Sequence, residues 1–213
     1  MRTGVSGNRF AGSPTVQAAL AFASARHAGQ CREVDGAPFI AHPIEVARLL
    51  RRDRHADHVV AAGLLHDVLE KTATTGAELD RRFGLRIARL VTTVSDDLSI
   101  ESYEERKRDL RTRVERADSG ALAVIAADKV AKVREQALSP RRGPDDADTQ
   151  AKLAHYGASL EMLRRVAGEL GLVNCLEREF ARLMAPVRVE LTATRTVRPA
   201  RALVAPARRA HAS

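Results

Sequence analysis

Aromatic residues are scarce in this chain of 213 residues: they make up 3% of it, and tryptophan is absent. Proteins that bind single-stranded nucleic acid stack the bases on flat aromatic side chains, so this composition argues against that class. Hydrophobic residues still make up 45% of the chain. The core is therefore expected to consist mainly of Ala, Leu and Val, which pack closely between helices.

Cysteine is also rare. Cys31 and Cys175 are the only two in the sequence, and there is no C-x-x-C pair. Two cysteines cannot build a disulfide framework, and the missing C-x-x-C pair excludes a zinc site of that type. The reducing cytoplasm is the compartment expected for such a chain.

Long apolar runs are missing as well. No stretch approaches the roughly 20 apolar residues that a membrane-spanning helix needs. Residues 1–13 are polar and Gly-rich, without the apolar centre of a signal peptide. We therefore predict a cytoplasmic protein that does not enter the membrane, with a flexible N-terminus over residues 1–13.

Positive charge is in excess but unevenly placed. The chain carries a net charge of +8, and residues 187–213 hold six arginines and a single acid, a net of +5. This tail has too few large apolar residues to order itself, so residues 186–213 are predicted to be disordered. Nucleic acid is expected to bind at most weakly, through this basic tail.

Helical signals dominate the remainder and predict an all-α helical bundle over residues 14–185. Ser13-Pro14 is a typical N-cap with proline in the first turn, and Thr75-Gly76-Ala77-Glu78 fits a capping box. The predicted helices cover 15–28, a segment that Pro43 opens, about 56–70, a short segment from the capping box to Gly84, 85–94, 101–117, 121–138, 145–170 and 174–184.

Three polar residues stand where apolar ones are expected. His66-Asp67 ends an apolar helix, and Asp128 follows the apolar run 122–127. Charged groups in such surroundings need a partner, and a divalent metal is one. The alternatives are a helix-end His and Asp satisfied by hydrogen bonds, and an Asp–Lys or Asp–Arg pair inside the bundle.

His42 begins the helix that Pro43 opens, and it completes a set of two imidazoles and two carboxylates. Its alternative interpretation is a partly buried histidine in an N-terminal turn. The mixed set suits Mn²⁺, Fe²⁺, Zn²⁺ or Mg²⁺ and leaves positions open for water and a phosphate oxygen. A metal-dependent phosphohydrolase is therefore the first hypothesis.

The motifs around these residues resemble the HD-domain superfamily, and specifically the hydrolase domain of RelA/SpoT-type alarmone enzymes and the small stand-alone alarmone hydrolases. The resemblance covers roughly residues 15–170. The motifs that carry it are, in chain order, His27-Ala28-Gly29-Gln30-x-Arg32, Gly36-x-Pro38-Phe39-Ile40-x-His42-Pro43, Leu65-His66-Asp67-Val68-x-Glu70, Phe83-Gly84 and Ala127-Asp128-Lys129.

The resemblance implies an all-α HD-domain bundle that binds Mn²⁺ and removes the 3′-pyrophosphate from guanosine tetra- or pentaphosphate. It implies that Glu70 orients or activates the attacking water, and that Arg32 packs near the nucleotide base. The metal ligands that it implies are His42, His66, Asp67 and Asp128.

The chain departs from the family pattern at several positions. Lys71 replaces the second acid of a Glu-Asp pair, and Lys132 replaces an Asn that contacts the nucleotide. Glu33 stands where the family often has a base, and the loop before His42 is one residue longer than usual. The metal set matches the family, whereas the substrate pocket does not.

We assign catalytic roles to Glu70 and Lys71, and substrate binding to Arg32, Lys129 and Lys132. A solvated helix face remains an equal alternative for the lysines that follow Asp128 and for Arg134. The charged segment 104–108 is interpreted as surface ion pairs, and His155-Tyr156 as packed or rim residues.

Two rival functions remain open. One is a degenerate HD-domain module that binds a nucleotide with little turnover, which Lys71 and Lys132 favour and the intact ligand set opposes. The other is a protein that associates with nucleic acid through its basic tail, which the shortage of aromatics opposes.

Overall fold

The prediction of an all-α fold is confirmed. The computed structural model describes residues 13–138 and 146–185, and those residues contain no strand, only an isolated bridge between Cys31 and Pro38. The helices are α1 (Pro14–Arg26), α2 (Ala41–Arg52), α3 (Asp57–Leu65), α4 (Val68–Lys71), α5 (Gly76–Phe83), α6 (Leu85–Val94), α7 (Tyr103–Glu115), α8 (Ser119–Leu138), α9 (Ala147–Ala167) and α10 (Gly171–Met184).

The capping signals begin helices where the sequence predicts them. The Ser13 hydroxyl accepts from the backbone N–H of Val16, and the Thr75 hydroxyl accepts from that of Glu78 at 3.2 Å. The second bond of a full capping box, from the Thr75 backbone N–H to the Glu78 carboxylate, is not formed. The Glu78 carboxylate instead pairs with Arg26 at 2.5 Å and so ties α5 to α1.

Helix α3 is the centre of the bundle. Every residue from Val59 to Leu65 is buried, and α3 contacts α1, α2, α6 and α8. A helix that is apolar on all sides is stable only when other helices surround it. Gly63 lets α2 come close, because a Cβ atom there would lie 2.5 Å from Leu50 Cδ1.

The predicted continuous helix over 56–70 is wrong. The chain divides into α3 and α4, with His66 and Asp67 between them. Side chains take carbonyls that a continuous helix would use: His66 Nδ1 bonds to the Gly63 carbonyl at 2.9 Å, and the Ser95 hydroxyl donates to the His66 carbonyl. The break frees His66 and Asp67 to face the same point.

Helices α7 to α10 close the bundle beside α3. Helix α8 contacts α2, α3, α9 and α10, and α7 packs on α9. Within the described ranges, no helix is long and apolar enough to cross a bilayer. The predictions for 1–12, for the turn at 140–144 and for the tail from 186 lie outside the described residues.

Candidate active site

Four buried polar residues converge at the middle of the bundle. His42 comes from α2, His66 and Asp67 from the break between α3 and α4, and Asp128 from α8. Their exposed fractions lie between 0% and 5%, so a charge on any of them is costly unless it has a partner. The tertiary structure thus brings together all four residues of the predicted metal set.

Ligand atoms of His42, His66 and Asp128 are close enough to share one ion, since all three lie within 4.8 Å of one another. The Nε2 atoms of His42 and His66 lie 3.3 Å apart, and Asp128 Oδ1 lies 3.0 Å from the first and 3.5 Å from the second. Asp67 Oδ2 lies 3.4 Å from His66 Nε2 and 3.7 Å from His42 Nε2.

Hydrogen bonds at the far side of each ring decide which nitrogens face the centre. His42 Nδ1 lies 2.8 Å from a carboxylate oxygen of Glu135, and His66 Nδ1 lies 2.9 Å from the Gly63 carbonyl. Both oxygens only accept, so both Nδ1 atoms carry the proton. In the neutral rings, both Nε2 lone pairs therefore point at the shared centre, as in metal-binding histidines.

This donor set fits a divalent cation. Asp67 Oδ2 is buried and has no hydrogen-bond partner in the described part of the chain. Burial alone would lower the pKa of His66, but the carboxylates of Asp67 and Asp128 outweigh burial and raise it to about 9. The carboxylates of Asp67 and Asp128 therefore stabilise a positive charge between them and the two imidazoles. A proton on His66 or a metal ion can supply that charge.

Asp128 also forms the ion pair with a lysine that was the alternative interpretation of this residue. Its second oxygen, Oδ2, accepts from Lys129 Nζ at 2.7 Å. Burial opposes ionisation of Asp128, yet Lys129 and the two imidazoles hold its pKa well below the usual range. The ion pair and the metal set use different oxygens of one carboxylate, so the two interpretations are compatible.

Glu135 is a site residue that sequence reasoning missed. It accepts from His42 at 2.8 Å and from the Arg32 guanidinium at 3.2 Å, both through Oε1. The available signal was its spacing: Glu135 lies seven residues, about two turns, after Asp128 on α8, and so shares a face with it.

A cavity of about 710 Å³ opens beside the metal set. Its walls include all five residues assigned to catalysis or substrate binding: Arg32, Glu70, Lys71, Lys129 and Lys132. Arg134 does not line this cavity and instead pairs with Glu45 and Glu179. The alternative of a solvated face is wrong for Lys129, which is 5% exposed.

Glu70 has an anchored carboxylate. Its Oε1 accepts from the backbone N–H of Asp96 at 2.8 Å. Burial, together with the negative charges of Asp67 and Asp96, raises the pKa of Glu70 above its usual value. A carboxylate with a raised pKa is a better proton acceptor from water than an ordinary surface glutamate.

Two lysines at positions that depart from the family pattern meet at one aromatic ring. Lys71 Nζ lies 5.1 Å and Lys132 Nζ 5.9 Å from the centroid of Phe39. Burial lowers the pKa of Lys132, but Asp67 and Asp128 outweigh burial and raise it, so the ammonium stays charged. The cavity therefore presents cations to whatever it binds.

The interpretation of residues 104–108 as surface ion pairs is wrong for Lys107. Its Nζ lies 2.6 Å from Asp96 Oδ2, and its side chain lines the cavity. Asp96 is nearly buried and also pairs with Arg106 at 3.3 Å. The charged helix α7 thus supplies one wall of the site, which its composition alone did not indicate.

The sequence of this chain is similar to those of known proteins. The profile of the family described as HD domain matches residues 19–152. The guanosine-3′,5′-bis(diphosphate) 3′-pyrophosphohydrolase of Mus musculus is 38% identical over 117 residues, which are 54% of this chain and 65% of the mouse protein. The match therefore spans slightly less than two thirds of that relative.

The enzyme of the same description from Aquifex aeolicus is 38% identical over 96 residues, 45% of this chain and 14% of that protein. A solved structure, described as a metazoan ortholog of SpoT that hydrolyzes ppGpp, superposes with a TM-score of 0.72 at 25% identity. That superposition covers 80% of this chain and 96% of the other.

Proposed function

The chain belongs to the HD-domain family, and on that premise we propose that it is a metal-dependent phosphohydrolase of nucleotides. The substrate that the relatives favour is guanosine-3′,5′-bis(diphosphate), from which it would release pyrophosphate at the 3′ position. One observation carries the proposal: ligand atoms of His42, His66 and Asp128 lie within 4.8 Å of one another, beside a cavity that is lined with lysines. Asp67 Oδ2 lies 3.4 Å from His66 Nε2, next to this group.

We assign the metal to His42, His66, Asp67 and Asp128, with Mn²⁺ as the native ion. Two imidazoles and two carboxylates suit a borderline divalent ion, and the orphaned Asp67 Oδ2 is the atom that most needs one. When bound, such an ion polarises a phosphate oxygen and makes an attacking water more acidic.

Glu70 is the proposed general base. Its carboxylate lines the cavity, it is oriented by the Asp96 backbone N–H, and its pKa is raised by burial and neighbouring acids. In this role Glu70 accepts a proton from the attacking water as the water oxygen bonds to phosphorus. The bond from that phosphorus to the 3′ oxygen breaks, and the products are GDP and pyrophosphate.

Cationic side chains are proposed to hold the substrate. Among the described residues, no carboxylate lies within 4.0 Å of the ammonium group of Lys132 or Lys71, so both groups are available to phosphate oxygens. Arg32 lines the same cavity, where its guanidinium pairs with Asp35 and Glu135. Lys129 holds Asp128 and contributes positive charge at the phosphate.

The alternative is a binding module with little turnover. Lys71 replaces an acid and Lys132 replaces an amide of the family pattern, and both changes add positive charge next to the metal set. Such a site would retain an anionic nucleotide tightly and release it slowly.

The test is to purify the full chain, measure bound metal by elemental analysis, and screen a nucleotide panel for phosphate and pyrophosphate release with Mn²⁺. The proposal requires about one divalent ion per chain and pyrophosphate release from guanosine-3′,5′-bis(diphosphate) or another panel member. Metal retention and nucleotide binding without release of either product would establish the binding module instead.

A further inference from the structure

His155 on α9 is a buried side chain that the proposed reaction does not yet use. It lines the cavity, is 5% exposed, and lies near the rings of Tyr103 and Tyr156. Its Nδ1 lies 2.8 Å from a guanidinium nitrogen of Arg111, a residue of α7. The pair therefore links two walls of the site.

The contact with Arg111 determines the tautomer of the ring. A guanidinium only donates hydrogen bonds, so Nδ1 must accept, and the single proton of the neutral imidazole lies on Nε2. Burial, followed by the charges of Lys129, Lys107 and Arg111, lowers the pKa of His155 to about 2. The ring is therefore neutral at physiological pH and has one N–H to offer.

That N–H has no acceptor. His155 Nε2 is buried without a hydrogen-bond partner in the part of the chain that the structure describes. Asp67 Oδ2 shows the same property at the metal set, where a metal ion is the proposed partner. A buried donor left without a partner is costly, so an acceptor from outside the chain is expected at His155.

We infer that His155 is a substrate-binding residue that donates its Nε2–H to an anionic oxygen of the bound nucleotide, and that Arg111 is the positioning residue that sets its tautomer. An anion is the acceptor that fits, because five lysines line the same cavity, and two of them, Lys71 and Lys132, have no carboxylate within 4.0 Å among the described residues. The inference rests on the proposed function, since it assumes that the cavity takes a phosphorylated nucleotide.

Binding measurements test the inference separately from turnover. GDP and inorganic pyrophosphate, the two products of the proposed reaction, are titrated into the full-length Mn²⁺-loaded protein by calorimetry. His155→Phe removes the donor and keeps the ring, and is expected to weaken the binding of at least one product by about 10- to 100-fold. His155→Gln, whose amide nitrogen occupies a similar position, should restore most of the loss.

The same variants separate binding from structure. His155→Phe should keep its metal and its melting temperature within a few degrees, and should raise KM for guanosine-3′,5′-bis(diphosphate) more than it lowers kcat. A residue that only fills space would not be rescued by glutamine. Binding of both products by His155→Phe at wild-type affinity, or no binding by the wild type, would overturn the inference.

Arg111 is tested by its effect on the tautomer. Nitrogen chemical shifts of His155 in the wild type should report the form protonated at Nε2, and Arg111→Met should add the form protonated at Nδ1. A His155 that is protonated at Nδ1 in the wild type contradicts the inference. If the wild type hydrolyses no nucleotide but binding still depends on His155, the proposed function fails and the inference stands.

Discussion

Glu135 Oε1 lies 2.8 Å from His42 Nδ1 and thereby fixes which nitrogen of that imidazole faces the metal set. The same oxygen accepts from Arg32 at 3.2 Å. Burial raises the pKa of Glu135, but the contacts with His42 and the nearby cations outweigh burial and lower it, so the group is a carboxylate. One atom thus connects a proposed metal ligand with a proposed substrate contact.

Removal of that carboxylate should weaken metal binding. Partners of metal-bound histidines typically contribute 10- to 100-fold in affinity, so Glu135→Ala is expected to lower the affinity for Mn²⁺ by about that factor. Glu135→Gln keeps an acceptor oxygen and should lose less. Competition with a chelator measures both, with the exposed Glu104→Ala as control. Unchanged affinity in a folded Glu135→Ala protein would show that His42 does not need this contact.

Substitution of either of two proposed metal ligands should remove metal binding and activity together. His66→Ala and Asp67→Ala are each expected to abolish hydrolysis and metal retention, since both side chains face the shared centre from the break after α3. His58→Ala, on α3 before the break and outside the cavity lining, is the control and should retain both properties. Elemental analysis beside the activity assay checks this, and full metal occupancy in both variants would contradict the assignment.

Glu70→Gln should separate chemistry from structure. Glutamine keeps an oxygen that accepts from the Asp96 backbone N–H, so metal content and melting temperature should stay near wild type. The rate should fall by about 10²- to 10⁴-fold, which is the usual contribution of general base assistance. Single-turnover kinetics measure the step directly, with Glu104→Gln as control. Unchanged turnover would remove the role of Glu70 and favour the binding module.

Variants of Lys71 test whether the lysine at this position, where the family has an acid, helps to bind the substrate. The Lys71 ammonium lies 5.1 Å from the Phe39 ring at the cavity wall, so Lys71→Asp reverses a charge that phosphate oxygens would meet. We expect KM for this chain's own substrate to rise, and less so in Lys71→Met, which removes the charge without reversing it. Equal kcat and KM values in all three proteins would mean that Lys71 points into solvent and contributes nothing to the reaction.

The buried neutral His155 should make stability depend on pH in one direction. Its folded pKa is about 2 against 6.5 for the free side chain, so below pH 6.5 the unfolded chain binds the extra proton. Stability from this residue is therefore present above pH 6.5 and is lost as the pH falls.

Each pH unit below that point costs up to about 1.4 kcal/mol per such group. Denaturant unfolding between pH 6.5 and about 5 should therefore show a shallower decline for His155→Phe than for wild type. His55→Phe, which alters a histidine paired with Asp53 outside the cavity, should keep the wild-type slope. Parallel curves for wild type and His155→Phe would mean that His155 titrates normally in the folded protein.

Local signals sufficed for the helices and for the candidate ligands. Helix α6 runs over Leu85–Val94 as the sequence predicts. Its signals are local, since the spacing of its apolar residues and the glycine before it lie within a few residues of the helix. His66, Asp67 and Asp128 stand out because each is a polar group in an apolar run, which is visible without any tertiary contact. Sequence patterns of this kind determine which residues need partners.

Tertiary packing decided which partners they have. Glu135 meets His42 across 93 residues, and Arg111 meets His155 across 44. No local period or cap encodes such distances, because they depend on how α7, α8 and α9 pack around α3. The break at His66 has this origin in part. The bond from the His66 ring to the Gly63 carbonyl is local, but Ser95 reaches the His66 carbonyl only because α6 lies beside α3. The sequence by itself determined an all-helical chain with buried charges, and packing turned those charges into a site.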